Sequence, residues 1–372
     1  MASAEEQRLA ALRDLLAARD LEALLVAGPE NRRYLSGFTA REEMFTESCG
    51  FLLVTARETH LLTDFRYREW AAGEAREFTV TVYQDNLGAA LAELLQAAGI
   101  RRLGFESAYI SFRNYERLVK QTAEAGWQGE WLPREGLVEE LREVKTPEEV
   151  AAVRKALRLT EAVFTEVAAW LAPGLTERQV AWEIEKRLRE GGSEGVAFAP
   201  IVAAGPNSAR PHHQPTEKVL RPGEPIIIDM GARMEGYCAD FTRTLILGEP
   251  PERFKEIYTL VRRAQARAEA GIRAGLNSLE ADALARDLLT QAGYGEAFGH
   301  SLGHGVGLAV HEAPSLSPYQ ERATRLKAGS IFTVEPGIYL PGWGGVRLED
   351  MVLLETEGAQ VLTELGFYEW AD

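Results

Sequence analysis

Leu9, Leu12, Leu15 and Leu16 recur at helical spacing and predict an amphipathic helix over the first ~20 residues. Residues 21–28, LEALLVAG, form a short apolar run and predict a buried strand, with PENRRYLSGF after it as loop and turn. CGFLLVT and THLLTD predict two strands of a hairpin turning around residues 56–58, and FTVTVY a further strand. Helical patterns over 87–98 and 112–125 complete an alternating α/β unit whose strand signals stop near 133–144.

From Thr146 the texture changes. TPEEVAAVRKALRLTEAVFTEVAAWLAPG is a long helical pattern, with Thr146 placed to cap it and Pro147 at its first position. The predicted organisation is a domain over 1–133, a linker over 134–146 and a second domain over 147–372. The second domain contains a weak repeat at an offset of 101 residues, aligning Gly174–Leu175 with Gly275–Leu276, Leu188 with Leu289 and Gly192 with Gly293. In both copies a capping box opens a helix, Thr176 with Gln179 and Asn277 with Glu280. Each helix is followed by a strand pair bearing two acids, which implies a duplicated half-domain.

With 372 residues the chain is long enough for two cores. A net charge of −15 argues against nucleic-acid and anionic-membrane partners. The two cysteines, Cys49 and Cys238, form no CxxC pattern, so neither a disulfide framework nor a thiolate zinc site is expected, and a reducing compartment fits. No signal-peptide pattern opens the sequence and no run approaches the ~20 apolar residues of a membrane span. A cytoplasmic protein is the expectation.

The candidate chemistry lies late in the chain. Asp229 and Asp240 flank a predicted hairpin in IIIDMGARMEGYCADFTRTLIL, and Glu335 and Glu349 flank another in IFTVEPGIYLPGWGGVRLEDMVLL. A turn centred between Met234 and Glu235 sets Asp229 directly opposite Asp240, with Cβ atoms ~4.5–5.5 Å apart. A bulge at Gly236 would shift that register. A turn centred on Gly342 pairs Glu335 with Glu349. Like charges facing each other destabilise a sheet, and four acids converging with His304 from GHSLGHGVGL would repel unless cations held them. The pattern implies a metal site, and a two-metal one. Oxygen donors with a single imidazole favour Mn²⁺, with Co²⁺ or Zn²⁺ as alternatives. Two ions ~3.5–4 Å apart would activate a bridging water and hold a substrate carbonyl, which is hydrolytic chemistry.

Five of the six histidines, His212, His213, His300, His304 and His311, fall in the second domain. On a regular strand His304 and His311 would point to opposite faces, so a bend near 305–307 is required if both face inward. GHGVG lacks the spacing and following helix of a dinucleotide fingerprint. His213 reads as a bystander of His212, Cys238 as a small buried residue and His60 as a surface residue.

IIIDMG…GYCADFTRT, GHSLGHGVGLAVHE, VEPGIY and GGVRLED, together with GPNSARPHH and PENRRYLSGF, resemble the signatures of the pita-bread metallopeptidases of the Xaa-Pro group, aminopeptidase P and prolidase. The resemblance spans nearly the whole chain. It implies an α/β (α+β) protein with a small creatinase-type N-terminal domain and a pseudo-symmetric pita-bread catalytic domain. By resemblance, Asp229 and Glu349 serve one metal or are shared, Asp240 and Glu349 bridge, and His304 and Glu335 bind the second ion. Glu335 is also implied as the general base. His212, His300 and His311 match positions that stabilise the tetrahedral intermediate and bind the peptide, and Arg347 matches an arginine that braces the acids or the substrate. A homodimer acting on short proline-containing peptides is implied too.

Two positions depart from the pattern. Ser315 stands where many relatives carry an arginine, and Arg210 replaces a residue that is usually apolar. Prolidases must neutralise the free carboxylate of a dipeptide, so the loss tilts the expectation toward longer substrates, although Arg210 or Arg41 could substitute. The expected activity is removal of an N-terminal residue that precedes proline; the alternative is an Xaa-Pro dipeptidase. Proline's tertiary amide lacks an N–H and fixes φ, which explains a dedicated enzyme. A metal-free creatinase-like hydrolase and an inactive binding module are disfavoured, because all five ligand positions are intact.

Overall fold

The expected first helix is α1, Ala4–Ala18, which buries Leu9, Leu12 and Leu16. The computed structural model describes residues 2–42, 44 and 47–368. The chain divides into two units, Met1–Arg142 and Glu143–Asp372.

In the first unit β1 (Ala23–Val26) is followed by α2 (Pro29–Ser36), the hairpin β2 (Phe51–Thr55) and β3 (Thr59–Thr63), then α3 (Arg68–Glu74) and β4 (Thr79–Val82). α4 (Leu87–Ala97), β5 (Arg102–Glu106), α5 (Phe112–Glu124), β6 (Glu130–Arg134) and α6 (Leu137–Glu143) complete it. The strands form one mixed sheet in the order β4-β3-β2-β1-β5-β6. The predicted hairpin and both predicted helices are present.

PENRRYLSGF is a helix, not the loop expected. Pro29 occupies the first turn and Gly37 closes the helix in the left-handed conformation, φ 74°. Its buried residues mix Tyr34 and Leu35 with Asn31, Arg32 and Ser36, which hides the amphipathic signal. Asn31 donates to Glu106 at 2.7 Å, and fully buried Arg32 donates to Glu42 and to the carbonyls of Ala40 and Gly50. The segment expected as a linker, 134–146, contains α6, and the division between units falls after Arg142. His60, expected at the surface, leaves only 12% of its side chain exposed.

The second unit begins with α7 (Pro147–Trp170), which carries the Thr146 cap with Glu149 completing a capping box. There follow α8 (Glu177–Glu190), β7 (Gly195–Val196), β8 (Ile201–Ala204), β9 (Pro225–Met230), β10 (Ala232–Met234), β11 (Tyr237–Cys238) and β12 (Phe241–Ile246). The second half runs α9 (Glu252–Gly271), α10 (Ser278–Gln291), β13 (Gly303–Gly305), β14 (Glu312–Leu316), β15 (Ile331–Val334), β16 (Gly337–Leu340), β17 (Gly344–Arg347), β18 (Asp350–Leu354) and β19 (Ala359–Val361). The inferred duplication is visible in hydrogen bonds. Both capping boxes form, and the two caps make matching bridges, Thr176 to Val219 and Asn277 to Arg325. Each half has its own core: Val153, Leu157, Val180 and Ile184 pack on Ile226 and Ile228, while Phe254, Ile257, Ala281 and Ala285 pack on Phe332 and Val334.

The register of the first hairpin differs from the expectation by two residues. Its turn is centred on Glu235 and Gly236, both at positive φ (53° and 83°), so Thr242, not Asp240, lies opposite Asp229. A two-residue shift preserves the face, so both aspartates still point the same way. The ladder breaks between β11 and β12, where a Cβ on Gly231 would stand 1.9 Å from the carbonyl oxygen of Ala239. The second hairpin follows the expected centre at Gly342, with Gly337 opposite Arg347 and Val334 opposite Asp350. Glu335 and Glu349 occupy the gap between those two ladders. Their N–H groups turn elsewhere, to Leu302 and Thr242 respectively.

Candidate metal centre

Asp229, Asp240, His304, Glu335 and Glu349 line one cavity of about 770 Å³, together with His212, His300, His311 and Arg347. Ligand atoms of Asp240, His304 and Glu349 lie within 4.8 Å of one another, so these three could hold one ion. His304 Nε2 is 3.3 Å from Glu335 Oε1 and 3.6 Å from Asp240 Oδ2. Arg347 Nη2 donates to Oδ2 of Asp229.

Each side chain has a local reason to be there. His304 sits at a register shift in β13, and its N–H donates to Thr333 Oγ1 at 3.1 Å. The same hydroxyl donates to Glu335 Oε1 at 3.1 Å. Thr242, across from Asp229, donates its hydroxyl to Glu349 Oε2 at 2.6 Å. The anticipated bend follows His304: the chain reverses over 307–311 and brings the His311 ring centroid to 4.2 Å from that of His304. Gly303 and Gly305 permit this, because a Cβ on either would meet a backbone oxygen at 1.9 or 2.0 Å.

The electrostatics are those of acids short of countercharge. Burial, then the charges of Glu349, Asp229 and Glu335, push the Asp240 carboxyl well above its usual range. Burial and the charges of Glu335 and Asp229 do the same to Glu349. Asp229 is also raised, by burial against the opposing pull of Arg347. Burial acts on Glu335 in the same sense but is outweighed by the hydrogen bond and charge of His304, with His300 and Arg347 adding to them, so Glu335 is held at about 2. Oδ1 of Asp229 and Oε1 of Glu349 are buried and take no hydrogen bond. Two orphaned carboxylate oxygens and three acids that resist ionisation are what a site built around divalent cations leaves without them. The residues fit such a group.

The remaining histidines differ in their surroundings. His300 Nε2 is 2.9 Å from the hydroxyl of Tyr339 and its Nδ1 2.8 Å from the Ser301 carbonyl. Burial lowers His300, and burial with the charge of His304 lowers His311 to about 4, so both rings are neutral at pH 7. His213 reaches the cavity wall but is buried with Nε2 2.9 Å from Glu177, which also accepts from Ala204, Asn207 and Thr216. It is part of a structural network, in keeping with its expected bystander role. Cys238 is fully buried. Of the two arginines considered as substitutes for the residue missing at Ser315, Arg210 is exposed and Arg41 pairs with Glu30.

Three site residues escaped the sequence reading. Tyr339 is buried and accepts from Arg347 Nη1 at 3.0 Å, while Thr242 and Thr333 each hold a glutamate. Tyr339 lies in VEPGIY and Thr242 in ADFTRT, where nothing local marks either as more than a strand residue.

Residues 151–356 match the model of metallopeptidase family M24, and residues 8–144 match the creatinase/prolidase N-terminal domain. The chain belongs to metallopeptidase family M24. It is similar to an uncharacterized peptidase, YqhT, of Bacillus subtilis, 36% identical over 96% of this chain and 97% of the relative. Among solved structures it is similar to an Xaa-Pro dipeptidase from Bacillus anthracis, with 37% identity, TM-score 0.90 and coverage of 97% of this chain and 98% of that one. It is also similar to an X-Pro aminopeptidase from Thermotoga maritima, with 34% identity, TM-score 0.83 and coverage of 93% and 96%. The M24 chain therefore has the creatinase-type N-terminal domain and pita-bread catalytic domain that its motifs implied, and it is a metallopeptidase dependent on divalent metal.

Proposed function

We propose that this M24 enzyme removes the N-terminal residue from peptides with proline in second position, using two divalent ions held by Asp229, Asp240, His304, Glu335 and Glu349. The observation that carries the length preference is the charge of the cavity wall. Among the described residues, its only arginine or lysine is Arg347, and that guanidinium already donates to Asp229, Tyr339 and Thr242. The wall also contains Ser315, the position that departs from the family's arginine pattern. A dipeptide's carboxylate would meet no unspent permanent cation there, whereas an internal peptide bond needs none. The dipeptidase reading is favoured by the Bacillus anthracis structure's name.

When bound, the ions supply Lewis-acid charge that lowers the pKa of a water and polarises the scissile carbonyl. We choose Mn²⁺, because four carboxylates and one imidazole are a hard donor set, over Co²⁺ or Zn²⁺. Glu335 is ionised at neutral pH and takes the proton of the attacking water. His311 and His212 flank the acids and donate to oxygens of the peptide around the scissile bond. His300, neutral and with its ring nitrogens engaged by Ser301 and Tyr339, contacts the peptide through its ring carbons on the other side. The acidic cluster attracts the substrate's ammonium group, and Phe198, Ile201 and Pro211 give the proline ring an apolar wall.

All of these groups lie past residue 147, so the division into 1–133, a joining segment 134–146 and a catalytic domain 147–372 assigns the chemistry to the last. A cytoplasmic location is supported by two buried thiols that form no disulfide, Cys49 and Cys238. A homodimer is supported by the resemblance alone; sedimentation velocity would show a single species of twice the chain mass. The length preference is tested by comparing an Xaa-Pro dipeptide with Xaa-Pro-Xaa tripeptides and longer peptides on the Mn²⁺-loaded enzyme. A higher kcat/KM on the longer peptides is expected. Strong preference for the dipeptide would replace this reading with the dipeptidase one.

A further inference from the structure

Helix α10 reaches the cavity through an ion pair. Asp282 is 1% exposed, and Arg286, one turn later, donates to both its oxygens through Nε and Nη2. The pair then captures the chain on both sides of His300. Arg286 Nη1 donates to the Phe298 carbonyl at 2.8 Å and Nη2 to the His300 carbonyl at 2.7 Å, while Asp282 Oδ1 accepts from the Leu302 N–H at 3.0 Å. The guanidinium also lies over the Phe298 ring, 4.2 Å from its centroid. Three main-chain groups within two residues of His300 are thus fixed by two side chains of one rigid helix.

The consequence passes through the imidazole. Its Nδ1 faces the Ser301 carbonyl and can only donate there, so in the neutral ring Nε2 is the acceptor. Arg347 can only donate to the Tyr339 hydroxyl, so the tyrosine's own proton points to His300 Nε2. The hydrogen bonds form one directed series: Arg347 bridges Asp229 and Tyr339, and Tyr339 ends on His300. At its far end His300 meets the Ser301 carbonyl in the cavity wall, and the main chain that carries both residues is held by α10.

We propose that Arg286 and Asp282 are positioning residues for His300, fixing its ring against Tyr339 and thereby the orientation of the tyrosine proton beside Arg347. Neither touches substrate. The inference rests on the reading that His300 binds the peptide, and it predicts that the pair acts on turnover only through that histidine.

A double-mutant cycle on the Mn²⁺-loaded, full-length enzyme tests this, with metal content measured for every variant. Arg286→Met lowers kcat/KM by about 10- to 100-fold, the scale of a misplaced side chain near a reacting centre. Arg286→Lys, which can reach Asp282 and one carbonyl but not two, recovers part of the loss. In a His300→Ala background Arg286→Met costs less than about twofold further. A loss that multiplies in full in that background, or wild-type kcat/KM in Arg286→Met, overturns the proposal. Wild-type turnover in His300→Ala alone would instead overturn the role given to His300. If Arg286→Met does not fold, Asp282→Asn replaces it in the same cycle with the same expected outcomes.

Discussion

Arg347 donates to the Asp229 carboxylate across 118 residues of chain, and the contact is buried on both sides. The arginine's Nε and Nη1 are spent on Thr242 and Tyr339, so one planar fork serves three groups at once. Lysine offers a point charge and cannot span that set. Arg347→Lys should therefore lower kcat/KM at least about 100-fold, while Arg347→Met should also destabilise the fold by about 3–5 kcal/mol through an unpaired buried acid. Steady-state kinetics and chemical denaturation of both variants decide it. Equal stability of Met and wild type would mean that Asp229 does not depend on this partner.

Thr242 holds Glu349 Oε2 at 2.6 Å and leaves Oε1 without a partner. A hydroxyl that orients a ligand oxygen sets how well the other one faces the metal. Thr242→Val should weaken metal affinity by about 10- to 100-fold with little change in maximal rate at saturating metal. Titration of the apoprotein by calorimetry, beside activity against added Mn²⁺, measures both. Unchanged affinity would assign Thr242 to packing alone.

Removing metal has two readouts. Exhaustive dialysis against EDTA should abolish activity and lower the thermal midpoint, because the buried acids lose the charge that compensates them, and Mn²⁺ or Co²⁺ should restore both. Full activity in protein verified as metal-free by elemental analysis would sink the hydrolytic reading.

How much of this was readable beforehand follows from which interactions are local. The caps at Thr146, Thr176 and Asn277 are bonds between residues three apart, and all three form as expected. The turn at Gly342 was also legible, since Gly and Pro crowd around it. The first hairpin was not, because its centre depends on Glu235 adopting φ 53°, which a glutamate does not advertise. Helix α2 was missed for a tertiary reason: Asn31 and Arg32 face inward because Glu106 and Glu42 wait there. Tyr339 and Thr242 belong to the same class. Their partners are eight to more than a hundred residues away, and no local pattern encodes them.

Gly303 allows β13 to lie against β15, since a Cβ would fall 1.9 Å from the Thr333 carbonyl oxygen. Both neighbours are backbone-bound in a buried sheet and cannot yield cheaply. Gly303→Ala should cost about 1–3 kcal/mol and shift His304, which follows it directly. The expected outcome is a lower thermal midpoint together with weaker metal binding. Loss of stability with unaltered metal affinity would show that the strand can move without carrying His304.

Glu106 gives a pH signature in the first unit. Burial pushes its carboxyl up to about 7 from the ordinary 4.5; the Glu139 charge adds to that, while bonds from Gly28, Ala27 and Asn31 oppose it. A raised acid reverses the usual sign: the folded protein keeps the proton while the unfolded chain loses it. Its contribution is therefore full below about pH 4.5, falls as pH rises toward 7 and is level above that, a change on the order of 3 kcal/mol. Other titrating groups cancel in the difference between wild type and Glu106→Gln. Chemical denaturation of both at pH 5, 6, 7 and 8 should show that difference moving toward the variant as pH rises. A flat difference over that range would mean that the three donors hold Glu106 in its ordinary range, and that its burial is fully compensated.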